Sequence, residues 1–343
     1  MSVYVFDLQN PVEFLNGAKP ILIERGPFVY KEVRTKINLR TYENETISYQ
    51  EPREYIFDRT QSVDDDTFTF TTINVVYMTL INLIQMEKTL SIYQHIIGEL
   101  LAMIEQPLMT HSVREYLWGY KDPLLHELKI LLPELAMDDQ VALFGMAVDF
   151  MAYDTFLINN GVGTDANGVD RINEVGRITR FNHSTSLSIW FDSYANMING
   201  TDSTLWHPNA RKDERIYAFI RDICRSVYLE FNETRRNFVG VDVYHYTLPS
   251  TMFSNSTENR GFCMNSTTAN KSHEYNCLPS GLFTQTPCQH LVGLAADVPL
   301  PFIASNPHFL DADSAVSNSV EGMHPDDENH RSFGDIEPLT GSK

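Results

Sequence analysis

VYKEVRTKINLRT, residues 29–41, alternates in character. Val29, Val33, Ile37 and Leu39 place mostly apolar side chains at odd positions, while Glu32, Arg34, Lys36, Asn38 and Arg40 hold the even ones. A period of two predicts an antiparallel strand with one dry face and one wet face. The pattern resumes after the turn-like YENE (42–45), in TISYQ (46–50) and EYIFD (54–58). The first third of the chain therefore reads as β.

The period then changes. Residues 73–135 read as helical, and TLSIYQHIIGELLAMIEQP (89–107) repeats Ile92, Ile96, Leu100 and Ile104 every fourth position, with Tyr93, Ile97 and Leu101 beside them. That is the broad apolar stripe of an amphipathic helix, ended by Pro107, with His95, Glu99, Ala102 and Gln106 opposite. A second helix is expected over SVREYLWGY (112–120), before Asp122-Pro123 turns the chain. DQVALFGMAVDFMAY (139–153) fits a buried strand or a buried helix, and the Gly-, Asn- and Asp-rich residues 159–176 read as an exposed hairpin region. ARKDERIYAFIRDICRSVY (210–228) reads as a helix, followed by strands to about Pro249. Residues 311–337 carry eight acids against the single base Arg331 and read as a solvated acidic loop.

Composition narrows the function. The 343 residues are 43% hydrophobic and 11% aromatic, enough for a substantial core in one large domain or two. Forty-five acids against 26 bases give a formal charge of −19, which repels nucleic acid and weakens adhesion to anionic lipid. No GxSxG elbow, P-loop or HExxH occurs, and His126-Glu127 lacks the second histidine, so the sequence offers no enzyme signature and no cofactor site. TDANGVD (164–170) and the C-terminal acids lack EF-hand spacing and imply no metal.

Four cysteines are present, Cys224, Cys263, Cys277 and Cys288, with no CxxC pair for zinc or thioredoxin-type chemistry. Two disulfides are the reading, and spacing alone leaves three connectivities open. N-x-S/T triplets begin at Asn44, Asn182, Asn199, Asn232, Asn255, Asn265 and Asn270. Seven triplets, two of them inside the loop between Cys263 and Cys277, point to a glycosylated chain in an oxidising compartment. Yet residues 1–25 carry no signal-peptide pattern, and the most apolar stretch, INVVYMTLINLIQM (73–86), is too short to span a bilayer. The expectation is a piece of a longer protein.

Seven stretches together resemble the class B scavenger receptor family: ERGPFVYKEV (24–33), LWGYKDPLL (117–125), NMINGTD (196–202), DICRSVY (222–228), GFC (261–263), PHF (307–309) and VEGMHPDDENHRSFGDIEPLTG (320–341). They keep the family's order and spacing over nearly the whole chain. GMHP, where plasma-membrane members usually have GLNP, and two disulfides rather than three resemble the lysosomal branch. The resemblance implies an α+β fold, with a large antiparallel β-barrel-like core, an apical helical bundle at about 73–135 and an internal apolar tunnel. It implies one ectodomain over 1–343, truncated at both ends and anchored in the full-length protein by membrane helices absent here. It also implies the pairs Cys224–Cys288 and Cys263–Cys277 within a bridged region 224–288. A loop closed by the second pair would stabilise the fold by roughly 3 kcal/mol.

Function follows from the same resemblance. The lysosomal branch holds acid β-glucosidase, a lysosomal hydrolase, on its helical apex at neutral pH and releases it in acid. The expected partner face here comprises Ile92, His95, Ile96, Glu99, Leu100 and Met103. Leu90 aligns with that branch's helix-start histidine, and His95, just over one turn later with Glu99 four residues on, stands in for it as a pH-sensitive group. Cholesterol or another lipid is the other implied ligand. The alternative is a plasma-membrane receptor taking up lipoprotein or modified lipid, although AMIEQPLMT (102–110) offers Glu105 and none of the lysines such receptors use there.

Overall fold

Strand β1 (Ser2–Leu8) leads through the one-turn helix α1 (Pro11–Leu15) into the long β2 (Leu22–Arg34), which returns antiparallel along it. The computed structural model describes residues 1–86, 94–131, 133, 139–144, 151–237, 239–265, 275–288, 290–291, 298–299 and 302–343. Its architecture is mixed, mostly strands with few helices. After β3 (Ile37–Thr41) and β4 (Thr46–Gln50), β5 (Arg53–Phe57) pairs with β2 and completes a three-stranded sheet. Val5, Phe28 and Tyr30 of this sheet pack with Phe70, Val113 and Leu117.

Here the alternation at 29–41 chose the wrong face. Phe28 and Tyr30 are buried, Val29 and Val33 are half-buried, and Ile37 and Leu39 stand exposed on a separate strand. Two aromatic rings remove more apolar area from water than two valines, so their face takes the core. The chain leaves the sheet after Arg34, and β3 joins a different one.

That second sheet runs β11-β10-β4-β3, with β10 (Thr155–Asn159) and β11 (Ile178–Phe181) flanking the turn-rich segment expected to be exposed. Tyr49, Phe156, Ile178, Phe181 and Phe219 form its core. A third sheet joins β12 (Ile216–Ile220), β13 (Arg225–Arg236), β14 (Asp242–Thr247) and the strand Phe333–Ile336. The helix expected over 210–228 is therefore two strands joined by the 3₁₀ turn Arg221–Ile223. Ile216 and Ala218 face one core while Phe219 faces another, so both sides of β12 are apolar and no period of two survives to announce it. Among the described residues no sheet closes on itself.

The helical segment is also interrupted. β6 (Thr69–Ile73) pairs with β7 (Leu108–Ser112), and helices α2 (Val75–Met86) and α3 (Gln94–Ile104) lie between them in sequence. α4 (Val113–Trp118) follows directly. Its N-terminus is a capping box, with the Ser112 hydroxyl accepting from the Glu115 N–H and the Glu115 carboxylate accepting from the Ser112 N–H. α5 (Pro123–Leu131) completes the layer. Leu80, Ile97, Leu124, Leu125 and Leu128 are almost fully buried together, each contributing about 1.5–3 kcal/mol of burial. In 139–153, Gln140–Val141 form the short strand β9, paired with β8 (Tyr120–Lys121), and 145–150 lie outside the described residues.

Disulfides join Cys224 to Cys288, with Cα atoms 5.7 Å apart, and Cys263 to Cys277, 4.7 Å apart. This is the pairing the resemblance implies. Beside them the Arg225 guanidinium, 3% exposed, lies 3.7 Å from the Phe262 ring centre and donates to the Met252 carbonyl and the Asn259 side chain. Burial pushes it down to about 10. An aromatic face and two carbonyl-type acceptors take the place of a carboxylate, and they tie the crosslinked loops to β13.

Candidate functional site

α3 divides cleanly into two faces. Ile97 and Leu101 are buried, and Leu100 and Ile104 pack half-buried against the same cluster. His95, Glu99, Ala102 and Met103 are exposed, Met103 by 82%. Of the expected partner face, His95, Glu99 and Met103 thus share one open side at helical spacing, whereas Leu100 faces the core. Ile92 lies outside the described residues, and for Ile96 only the backbone within α3 is described.

Polar contacts at one end orient the helices. The Asn74 side-chain amide, just before α2, donates to the Glu105 carboxylate just after α3, and the Asn74 N–H donates to the Pro107 carbonyl at 2.9 Å. Asn74 Oδ1 in turn accepts from the Tyr77 N–H at 3.1 Å, satisfying one free donor of α2. Asp122 does the same for α5, accepting from the Leu125 N–H at 2.9 Å. Burial raises the Glu105 carboxyl above its ordinary value, and the neighbouring Asp122 raises it further. Burial likewise raises Asp122, which is 2% exposed. The end of α3 therefore meets the starts of α2 and α5.

Sequence periodicity missed other exposed apolar residues of the helix layer. Ile130 and Leu131 at the end of α5, and Met78 on α2, are exposed apolar residues of the same layer. The signal is in PLLHELKIL (123–131), where Leu124, Leu125 and Leu128 suffice for the buried stripe and the last two apolar residues exceed it. On the same helix, Lys129 and His126 bond Asp139 at 2.9 and 3.0 Å and hold its carboxyl well below the usual range. Beneath the layer, Val76, Leu80, Met109, Tyr120, Val141 and Phe302 line an apolar cavity of about 40 Å³, room for a few waters.

Four of the expected glycosylation asparagines, Asn44, Asn182, Asn232 and Asn255, are exposed. Asn199 is half-buried, the side chain of Asn265 is not described, and Asn270 lies outside the described residues. Asp165 folds TDANGVD by accepting from the N–H groups of Asn167 and Val169 at 2.9 and 2.8 Å, a turn closed by its own carboxylate. Among the described residues no group of His, Cys, Asp and Glu is arranged to hold a metal, and no helix is long and apolar enough to cross a membrane. The acidic C-terminal stretch is more ordered than expected. It forms short helices at Ser314–Ser317 and Asp327–His330, and Arg331 pairs with Asp311 and Asp327.

Comparison with known proteins accords with these features. The profile of the CD36 family matches residues 1–343. Lysosome membrane protein 2 of Mus musculus is 36% identical over 344 residues, covering 99% of this chain and 66% of its own length. The Homo sapiens protein of that name is 35% identical over 341 residues, 98% of this chain and 65% of its own. Scavenger receptor class B member 1 of Mus musculus is 32% identical over 346 residues, 99% and 62% respectively. The chain thus spans just under two thirds of the length of these relatives.

Proposed function

Because the chain belongs to the CD36 family, we propose that it is the lumenal part of a membrane-tethered receptor of the lysosomal type, which carries a lysosomal hydrolase on its helix layer. The layer of α2, α3 and α5 would be the membrane-distal apex of one ectodomain, on a barrel-like core with an internal lipid tunnel. The partner would be acid β-glucosidase or a hydrolase like it, and no covalent chemistry is involved. The observation carrying this reading is the open face of α3, where Met103 stands in solvent on the same side as His95 and Glu99, over a buried apolar cluster. An exposed apolar side chain on a rigid helix is the kind of anchor a partner pocket buries, and a flanking histidine can gain charge in acid and weaken the contact. The disulfides, the exposed asparagine triplets and the similarity to lysosome membrane protein 2 support the lumenal setting.

The second reading is a plasma-membrane receptor for lipoprotein or modified lipid, supported by similarity to scavenger receptor class B member 1. Two observations weigh against it at this surface. Glu105 brings negative charge to the turn where an anionic ligand would need positive charge, and the cavity under the helices is far below the roughly 300–1,000 Å³ of small-molecule sites. Biosensor capture of acid β-glucosidase by the immobilised protein at pH 7 and pH 5 tests the preferred reading. Tight capture at pH 7, loss at pH 5 and at least tenfold weaker capture by Met103→Asp are expected. Absent capture, or equal capture at both pH values, overturns it.

A further inference from the structure

Far from α3 in sequence, His308 and His330 stack face to face, with ring centres 4.2 Å apart and planes 14° from parallel. His308 is buried, flanked edge-on by Phe6 of β1, and its Nε2 bonds the carboxylate of Glu24 on β2. The opposite nitrogens are engaged as well. Nδ1 of His308 accepts the backbone N–H of His324 at 3.1 Å, and Nδ1 of His330 accepts that of Asp326 at 2.9 Å.

We propose that this pair is an acid-operated latch, which holds the segment around 323–331 against β1 and β2 at neutral pH and releases it in acid. An imidazole nitrogen that accepts an N–H must keep its lone pair, so both rings are neutral in this arrangement. With Nδ1 accepting, each neutral ring already carries its proton on Nε2, so a second proton has only Nδ1 to occupy. On Nδ1 it sets donor against donor and breaks the backbone bond that shapes the segment. On both rings it stacks two cations at 4.2 Å. Histidine is the side chain that ordinarily gains charge between pH 5 and 8, so the change falls in the range of an acidified lumen.

The other ionisable residues at the pair are Glu24 and Tyr4 from the strands, with His324 and Asp326 bonded to the rings through their backbone N–H groups; Glu321, Asp327 and Glu328 lie along the same stretch of sequence. Arg331, the segment's one cation, is engaged by Asp311 and Asp327. Backbone conformation adds to the load. His308, Phe309 and Asp311 all have positive φ, at 53°, 59° and 63°, which disfavours L-residues and persists only where tertiary contacts impose it.

The near end of the segment stays fixed. The Leu22 N–H donates to the Glu321 carbonyl at 3.0 Å, and at Gly322, φ +96°, any Cβ would come within 2.0 Å of the Leu22 carbonyl oxygen. Opening therefore pivots at Gly322 and widens the cleft of about 830 Å³ that Tyr4, Phe6, Leu22, Phe309 and Met323 line beside the histidines. The latch is independent of how α3 is read.

Hydrogen–deuterium exchange of the whole protein at pH 7.4 and 5.0, corrected for intrinsic exchange, tests it. Amides of 323–331 should lose at least tenfold protection at pH 5.0 while α5 changes little. His330→Asn, whose carbonyl can still accept from the Asp326 N–H but cannot be protonated, should keep the Asp326 amide protected at both pH values and lose less protection than the wild type over the rest of 323–331. Unchanged protection of 323–331 in the wild type overturns the proposal by itself, whether or not the variant folds. An equal acid loss in His330→Asn overturns it too.

Discussion

The helix layer and the third sheet both enclose a dense apolar core, and they finish their surfaces differently. Around the third sheet, Trp206, Ile216, Tyr246 and Ile336 are buried, exposed charges such as Arg215 and Glu230 pair at 2.9 Å, and a disulfide from Cys224 binds the neighbouring loops. The helix layer buries Leu80, Ile97, Leu124 and Leu128 equally well, but it leaves Met103, Ile130 and Leu131 in water and keeps the carboxyls of Glu105 and Asp122 at a cost. The third sheet leaves Phe333 exposed on its last strand, but ion pairs and a crosslink close the surface around it. The helix layer exposes Met103, Ile130 and Leu131 together, a surplus of apolar surface of the kind a docking surface requires.

Substitutions can break this contrast or sharpen it. The largest effect is expected inside the helix layer, where Leu124→Ala should lower stability by about 2–5 kcal/mol in urea denaturation, because the cavity it leaves is walled by neighbouring helices. Replacing Cys263 and Cys277 together by serine should cost about 3 kcal/mol and leave capture of the proposed partner unchanged, as the crosslink serves the other region. If binding fell with it, the two regions would not be separable.

A smaller effect concerns Glu105. Its carboxyl is raised in the fold, so its contribution to stability is present below about pH 4.5 and is lost as the pH rises through the raised value. Glu105→Gln should therefore match the wild type in stability at pH 4 and exceed it at pH 7. A variant less stable at pH 7 would show that the Asn74 contact outweighs burial. Smallest of all, Met103→Gln should change stability by no more than about 0.5 kcal/mol while weakening partner capture, separating surface from core.

Sequence was a good guide where one face of an element dominates. α3 shows its stripe because Ile97 and Leu101 face a core and Glu99 and Met103 face water. It misled at β12, where both faces are buried, and at 29–41, where local alternation ranked valines above Phe28 and Tyr30. In the candidate site, His95 and Glu99 could be placed on the helix from spacing. The exposure of Ile130 and Leu131 could not, since it depends on what the neighbouring helices leave uncovered.

By itself the sequence determined the family motifs, the even set of cysteines, the asparagine triplets and the helical period of α3, all carried by residue identity or by neighbours along the chain. Only the tertiary structure decided which sheet β3 joins, which carboxyl Asn74 meets across 31 positions, and that His308 reaches Glu24 across 284. Periodicity encodes which way a side chain points. Which distant group it finds there is set by how the cores close, and no local pattern records that.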